Sequence, residues 1–190
     1  MKYTLKNNKP SEINQLSDCD ARWFAVYTKF KCEKFVVNHL AKKNIEAYLP
    51  LIRKTRRYQR KIKHYDLPLI HCYVFVRIKR TDYIRTLETE YVMKFLRQGN
   101  DLLAIPDEEI EKLKRVAGDV EETLSPENSD YHAGEEVEVI SGHLAGMKGK
   151  IIYKSGKKSF AVELETVGYH LRINIDLNLL RPVQKMKRIA

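Results

Sequence analysis

Little in this chain is suited to covalent or redox chemistry. Its 190 residues include three cysteines, one tryptophan, eight glycines and six prolines. Cys19, Cys32 and Cys72 are odd in number, far apart and without Cys-x-x-Cys spacing, which argues against a disulfide framework and a zinc site alike. Reduced thiols are expected, with Cys32 in a helix and Cys72 in a strand acting as small apolar filler. No run of about 18 apolar residues is available to cross a bilayer. The start, Met1-Lys2-Tyr3-Thr4-Leu5-Lys6, leads into polar residues rather than the apolar centre of a signal peptide, so a cytoplasmic location is expected. Gly-x-Ser-x-Gly, His-Glu-x-x-His and a phosphate loop are all missing. The nearest imitation of the last, Gly142 to Lys150, has Leu144 where a glycine is needed and Ile151 where Ser or Thr is needed. Among six scattered histidines, His71-Cys72 alone pairs two metal-ligand types, and neighbours on a strand point to opposite faces. No catalytic residue, metal or cofactor is therefore assigned, and a non-enzymatic role is expected.

Charge is plentiful and unevenly spread. The formal net charge is +10, yet residues 22–97 hold nineteen Lys/Arg against six Asp/Glu while residues 98–136 hold three against twelve. A basic block followed by an acidic one suggests a nucleic-acid-facing domain joined by a solvated tether to a second module. Lys/Arg clusters release counterions from phosphates and speed association with a polyanion. The densest run is Arg53-Lys54-Thr55-Arg56-Arg57-Tyr58-Gln59-Arg60-Lys61-Ile62-Lys63, with seven cations in eleven residues. A solvated hairpin tip would also accommodate it, but like charges this dense repel one another unless a polyanion is near, and Arg with Tyr can both grip phosphate and stack on bases.

Periodicity divides the chain further. Residues 1–21 are polar and aperiodic and read as a flexible leader. Trp23 to Thr28 suits a strand, and Lys31 to Lys43 a helix with Cys32, Val36 and Leu40 at helical spacing. Ile45 to Ile52 reads as a strand disturbed by Pro50. His71 to Ile78 is continuously apolar and is expected at the centre of a sheet. A short helix from Thr81, with Thr81 as N-cap, a strand over 91–96 and an acidic helix opened by Pro106 complete the order β-α-β-β-β-α-β-α. That order implies an α+β layer with helices on one face of an antiparallel sheet, over residues 22–118. Residues 119–134 carry Ser125-Pro126 and read as the linker. Five of the eight glycines then fall between Gly142 and Gly168, separating short strands around a Ser155-Gly156 turn. This pattern predicts a small all-β barrel over 135–184, followed by a basic tail at 185–190. Tyr73 and Phe75 share a strand face, and Tyr27 lies on a strand able to sit beside them. Core packing accounts for any one of these rings, whereas the set also suits a docking surface.

In order and spacing these residues resemble the NusG family of transcription elongation factors, and within it the specialised RfaH-like and capsular-polysaccharide (UpxY-like) antiterminators. The tracts that carry the resemblance are Trp23-Phe24-Ala25-Val26-Tyr27-Thr28-Lys29, Leu69-Ile70-His71-Cys72-Tyr73-Val74-Phe75-Val76, Ile105-Pro106, and Gly134 to Ile140 followed by Gly142 to Gly149. The resemblance implies an amino-terminal NGN domain and a KOW barrel. It implies that Tyr27, Ile70, Tyr73 and Phe75 dock on the clamp helices of the RNA polymerase β′ subunit, and that Arg85 and Thr86 meet the β subunit gate loop. Lys29 and Lys31, with Arg53, Lys54, Arg56, Arg57, Arg60, Lys61 and Lys63, would face upstream or non-template DNA. In the barrel, Gly142, Leu144 and Gly149 would form the loop that binds termination factor Rho or the NusG-binding ribosomal protein. Ile70-His71-Cys72-Tyr73 stands where housekeeping members carry an aromatic-Pro-Gly-Tyr tract, and Leu144 where they carry an aromatic. Both departures favour a specialised paralogue over Rho binding. A monomer is expected. The competing expectation is a ribosome-associated RNA-binding KOW protein.

Overall fold

The structure, a computed structural model, describes residues 15–58, 61–99, 101–118, 120–124, 131–154, 157–173 and 175–183. It divides into two compact units, residues 1–48 with 73–105 and residues 49–72 with 106–190. Its fold is mixed α/β, with antiparallel sheets and few helices.

The first unit is built on a four-stranded antiparallel sheet of β1 (Arg22–Thr28), β2 (Glu46–Tyr48), β5 (Tyr73–Ile78) and β6 (Val92–Phe95), in the order β2-β5-β1-β6. β5 is flanked on both sides, as its largely apolar run requires. The β1–β5 register sorts the two faces. Phe24 lies opposite Val76 and Val26 opposite Val74, and these four, with Phe95 opposite Val26 on β6, are all buried. The other face carries Trp23, Ala25, Tyr27, Tyr73, Phe75 and Arg77. Helix α1 (Glu33–Lys42) lies against β5 and β2 and buries Val36 and Leu40, while α2 (Tyr83–Leu87) lies against β6. A 3-10 turn over Arg80–Asp82 precedes α2, and Asp82, not the expected Thr81, stands at its N-cap without a side-chain capping bond.

The expected leader is tied down from residue 15 onward. Leu16 is buried, Gln15 N–H donates to the Leu102 carbonyl, and the Gln15 side-chain oxygen accepts from Ala104 N–H. Residues 1–14 lie outside the described residues.

In the second unit, β3 (Leu51–Tyr58) and β4 (Lys61–Pro68) form a two-stranded ribbon of their own. Pro50 separates β2 from β3, so the strand expected over Ile45–Ile52 is divided between two sheets. Helix α3 (Asp107–Val116) starts directly after Pro106, carries Asp107, Glu108 and Glu109 in its first turn, and buries Ile110, Leu113 and Val116. A six-stranded sheet follows in the order β12-β8-β9-β10-β11-β7. Its strands are β7 (Val120–Leu124), β8 (Tyr131–Val139), β9 (Lys148–Lys154), β10 (Lys157–Leu164), β11 (Tyr169–Ile173) and β12 (Leu180–Pro182). The acidic segment is thus not a plain tether. Residues 120–124 pair with β11, and β8 begins at Tyr131. The Ser125-Pro126 and Ser155-Gly156 breaks lie outside the described residues, although Lys154 pairs with Lys157 across the latter. Gly149 lets β9 cross the Phe160 ring, which a β-carbon there would meet at 2.5 and 2.7 Å.

Candidate functional site: an aromatic cleft and a two-faced ribbon

Tyr27 and Tyr73 are direct cross-strand partners on β1 and β5. Their rings meet edge to face, with centroids 5.5 Å apart at 79°, a favoured geometry for aromatic pairs. Tyr27 is 37% exposed. Lys94, opposite Tyr27 on β6, holds its ammonium 5.9 Å from the centre of that ring, within cation–π range. The two tyrosines line a cleft of about 780 Å³ completed by Tyr83, Leu87, Met93, Phe95, Arg97 and their neighbours. Tyr83 stacks on Phe95 at 4.9 Å, and Arg97 donates to the Tyr83 hydroxyl at 2.8 Å. Rings, one exposed thioether and two cations thus line the cleft around the β6 edge, a surface suited to an apolar partner with acidic margins.

The shared face expected of Tyr27, Tyr73 and Phe75 is present, but its members differ in access. Phe75 is 0% exposed and packs 6.4 Å from Tyr48, and Ile70, in the second unit, is 2% exposed. Neither offers surface to a visitor; Phe75 lies two residues further into β5 than Tyr73. The β6 side of the cleft was not singled out from the sequence. Its one signal is that Met93, Lys94, Phe95 and Arg97 follow each other at a sheet edge, where an aromatic and a thioether alternate with cations.

Arg85 and Thr86 separate in the same way. Thr86 is fully buried and donates its hydroxyl to the Asp82 carbonyl, a bond inside the helix turn. Arg85 stays at the surface, paired with Asp82 at 2.8 Å and bonded to the Lys43 carbonyl at 2.6 Å. Lys29 and Lys31 are exposed, and Lys31 adopts the left-handed backbone region with its ammonium 5.2 Å from the Phe30 ring.

The ribbon has two unlike faces. Cross-strand partners share a face. One face therefore carries Arg53 with Asp66, Thr55 with His64 and Arg57 with Ile62. Here Arg53 is neutralised by Asp66 at 3.1 Å, and the Thr55 hydroxyl contacts His64 Nδ1 at 2.9 Å. The opposite face carries Lys54 with Tyr65, Arg56 with Lys63 and Tyr58 with Lys61. It presents four cations, two tyrosines whose hydroxyls meet at 3.1 Å, and a guanidinium 5.6 Å from the Tyr58 ring. That bond is the main cause of the upward shift in the Tyr58 pKa. Arg60 lies outside the described residues.

In the Gly142–Gly146 loop, both glycines occupy the left-handed region at φ 82° and 79°. Leu144, expected to project toward a partner, is 2% exposed. Among the described residues no cluster of three or more His, Cys, Asp and Glu side chains could hold a metal, and no helix is long and apolar enough to cross a membrane.

Residues 21–114 match the family model described as "NusG: Transcription termination factor nusG". No curated protein matches the chain. Among solved structures, "Domain interaction in Thermotoga maritima NusG" is 19% identical over 88% of this chain and 100% of that chain, with a TM-score of 0.56, a likeness of fold. "Crystal Structure of MjSpt4:Spt5 complex conformation A" is 21% identical over 86% of this chain and 99% of that one, with a TM-score of 0.30, too low to bear on the fold. The matched family is described as one of transcription factors, and with its model spanning the strand–helix core that presents the aromatic cleft, this chain is NusG-like over residues 21–114.

Proposed function

We propose that the protein is a transcription elongation and antitermination factor that docks on RNA polymerase through the Tyr27–Tyr73 pair. One observation carries this reading: two tyrosines in edge contact on neighbouring strands, open to solvent beside a cleft of about 780 Å³. The occupant is the pair of clamp helices of the β′ subunit. Tyr27 and Tyr73 make the contact, Lys94 and Arg97 meet acidic groups at its rim, and Phe75 and Ile70 serve as packing. Binding that favours the closed clamp over the open one shifts the population toward the closed form and suppresses pausing or termination. Arg85, without Thr86, is the candidate for the gate loop of the β subunit. Lys29, Lys31 and the cationic ribbon face contact upstream or non-template DNA through phosphates, with the tyrosines available for stacking.

The proposed domains are an NGN-like domain over 22–118 and a KOW-like barrel over 135–184, in a specialised RfaH-like or UpxY-like paralogue acting at selected operons. With Leu144 buried, the loop of Gly142, Leu144 and Gly149 is assigned neither Rho nor the NusG-binding ribosomal protein.

The test is retention of the full chain on purified RNA polymerase through a moderate salt wash, with pausing followed on the same complexes. An apolar contact is poorly screened, whereas binding through phosphates alone falls steeply with salt. Retention of the parent chain and loss with Tyr27→Ser and Tyr73→Ser together are expected. Elution of the parent chain, with salt-sensitive capture on ribosomal RNA instead, would replace this reading with that of a ribosome-associated KOW protein.

A further inference from the structure

Among the described residues, the ribbon of β3 and β4 forms a sheet of its own, paired with no third strand. On its cationic face the rungs toward the tip are Lys54 with Tyr65, Arg56 with Lys63 and Tyr58 with Lys61. Ile52 and Leu67 close that face at its base, and no Asp or Glu lies on it.

Tyr58 and Tyr65 stand two rungs apart, about 13 Å along the strands, yet their hydroxyls meet at 3.1 Å. The two side chains therefore lean toward each other and span the Arg56–Lys63 rung. Arg56 adds a guanidinium 5.6 Å from the centre of the Tyr58 ring, within cation–π range. Each ring is thus held at its backbone end and at its hydroxyl, while Tyr58 stays 44% exposed and Tyr65 37% exposed. Rings fixed in place before a flat partner arrives lose little side-chain freedom when it stacks on them. Cations alone would keep the ribbon soluble, so the bridged rings call for a ligand that carries both negative charge and open aromatic faces.

We propose that this face is a binding site for single-stranded DNA, with Tyr58 and Tyr65 stacking on unpaired bases while Lys54, Arg56, Lys61 and Lys63 hold the phosphates. The site rests on the reading above that the ribbon contacts DNA, and it decides between the two forms named there in favour of the unpaired non-template strand. A duplex buries its base faces against one another and offers the ribbon only phosphates and groove edges. An unpaired strand offers both groups at once, and because every base has a π-face the contact tolerates any sequence. The Tyr58 pKa is raised, chiefly by the bond to Tyr65, so the phenol stays neutral beside the phosphates.

The test is equilibrium binding of the full chain at about 0.1 M salt to a thymidine oligonucleotide of about 12 nucleotides, its abasic counterpart, a duplex of the same length and a uridine oligoribonucleotide. The parent should hold the thymidine strand about tenfold or more tighter than the abasic one. Tyr58→Leu and Tyr65→Leu, made singly, should each weaken thymidine binding by about fivefold or more and leave abasic and duplex binding within about twofold. Tyr58→Phe, which keeps the ring, should stay within about threefold of the parent on the thymidine strand. Equal binding of the thymidine and abasic strands by the parent, a comparison that needs no variant to fold, overturns the proposal. So does a loss on the duplex that matches the loss on the thymidine strand, or a uridine strand held about tenfold more tightly than the thymidine one. Equal, salt-sensitive binding of every probe would end the stacking site and leave the phosphate contact in place, whereas no binding of any probe would end both. Retention on RNA polymerase, which tests docking through Tyr27 and Tyr73, is read separately and should not change in the ribbon variants.

Discussion

A thermodynamic cycle on Tyr27 and Tyr73 separates a docking role from a packing role. Both rings reach the cleft, and their edge contact at 5.5 Å fixes each against the other. If they are anchors, replacing either by Ala should weaken binding to purified RNA polymerase by about 2 kcal/mol or more, roughly a thirtyfold rise in Kd. The double variant should lose less than the sum of the two, by about 0.5–1.5 kcal/mol, since the first truncation already frees the second ring. Tyr27 is 37% exposed, so its removal should cost the fold only about 1 kcal/mol. Phe75 is the control. It is 0% exposed, so Phe75→Ala should destabilise by about 3–5 kcal/mol, while Phe75→Leu, which keeps apolar volume, should leave affinity within about threefold of the parent. Equilibrium titration at about 0.1 and 0.3 M salt, with thermal melts of each variant, measures all of these. Folded Tyr27→Ala and Tyr73→Ala proteins that bind within threefold of the parent would refute the docking role.

Three further outcomes are expected. Changing Lys54, Arg56, Lys61 and Lys63 together to Gln should flatten the slope of log affinity against log salt for duplex DNA by about 3–4, whereas Arg53→Gln, already neutralised by Asp66, should change it by less than about one. A slope unmoved by the four changes would remove the ribbon from the nucleic-acid interface. Gly149→Ala should lower the melting temperature of the second unit, because the new methyl meets the Phe160 ring and the Ala161 backbone and such overpacking costs about 1–3 kcal/mol or more. An unchanged melt would contradict the β9–β10 crossing. The His170 pKa is lowered, chiefly by burial, against the opposing charge of Glu163. A base with a depressed folded-state pKa withdraws stability as pH falls through its ordinary value of about 6.5. The difference between parent and His170→Gln stability should therefore shift in favour of His170→Gln below about pH 6.5, and a constant difference in melts from pH 7.5 to 5 would count against that burial.

Elements with a strong local pattern are legible in the amino-acid sequence alone. The apolar run expected over His71–Ile78 indicated a central strand because both its faces need cover, and β5, which takes up Tyr73–Ile78 of it, has neighbours on either side. Pro106 with three acids after it marked the start of α3. Thr81 was a weaker case, because a 3-10 turn takes up the residues before α2 and leaves its hydroxyl without the capping bond. The acidic stretch was also misleading: its charge suggested solvation, yet Val120 to Leu124 forms a sheet edge by pairing with β11, far along the chain.

The candidate site divides along the same line. Alternation along a strand is a local property, and by itself it put Tyr73 and Phe75 on one face and allowed Tyr27 to join them. Which of those rings meets solvent depends on what is stacked over that face, and only the assembled fold left Tyr27 exposed and Phe75 sealed. The ribbon's charge was equally plain in the residues, but its division into a face where Arg53 pairs with Asp66 and a cationic, tyrosine-bearing face required the pairing register, since a shift of one residue would exchange the two. Leu144 marks the limit: a short loop encodes its own turn through Gly142 and Gly146, whereas its burial is determined by groups distant in sequence, with Arg115 clamping the loop from α3.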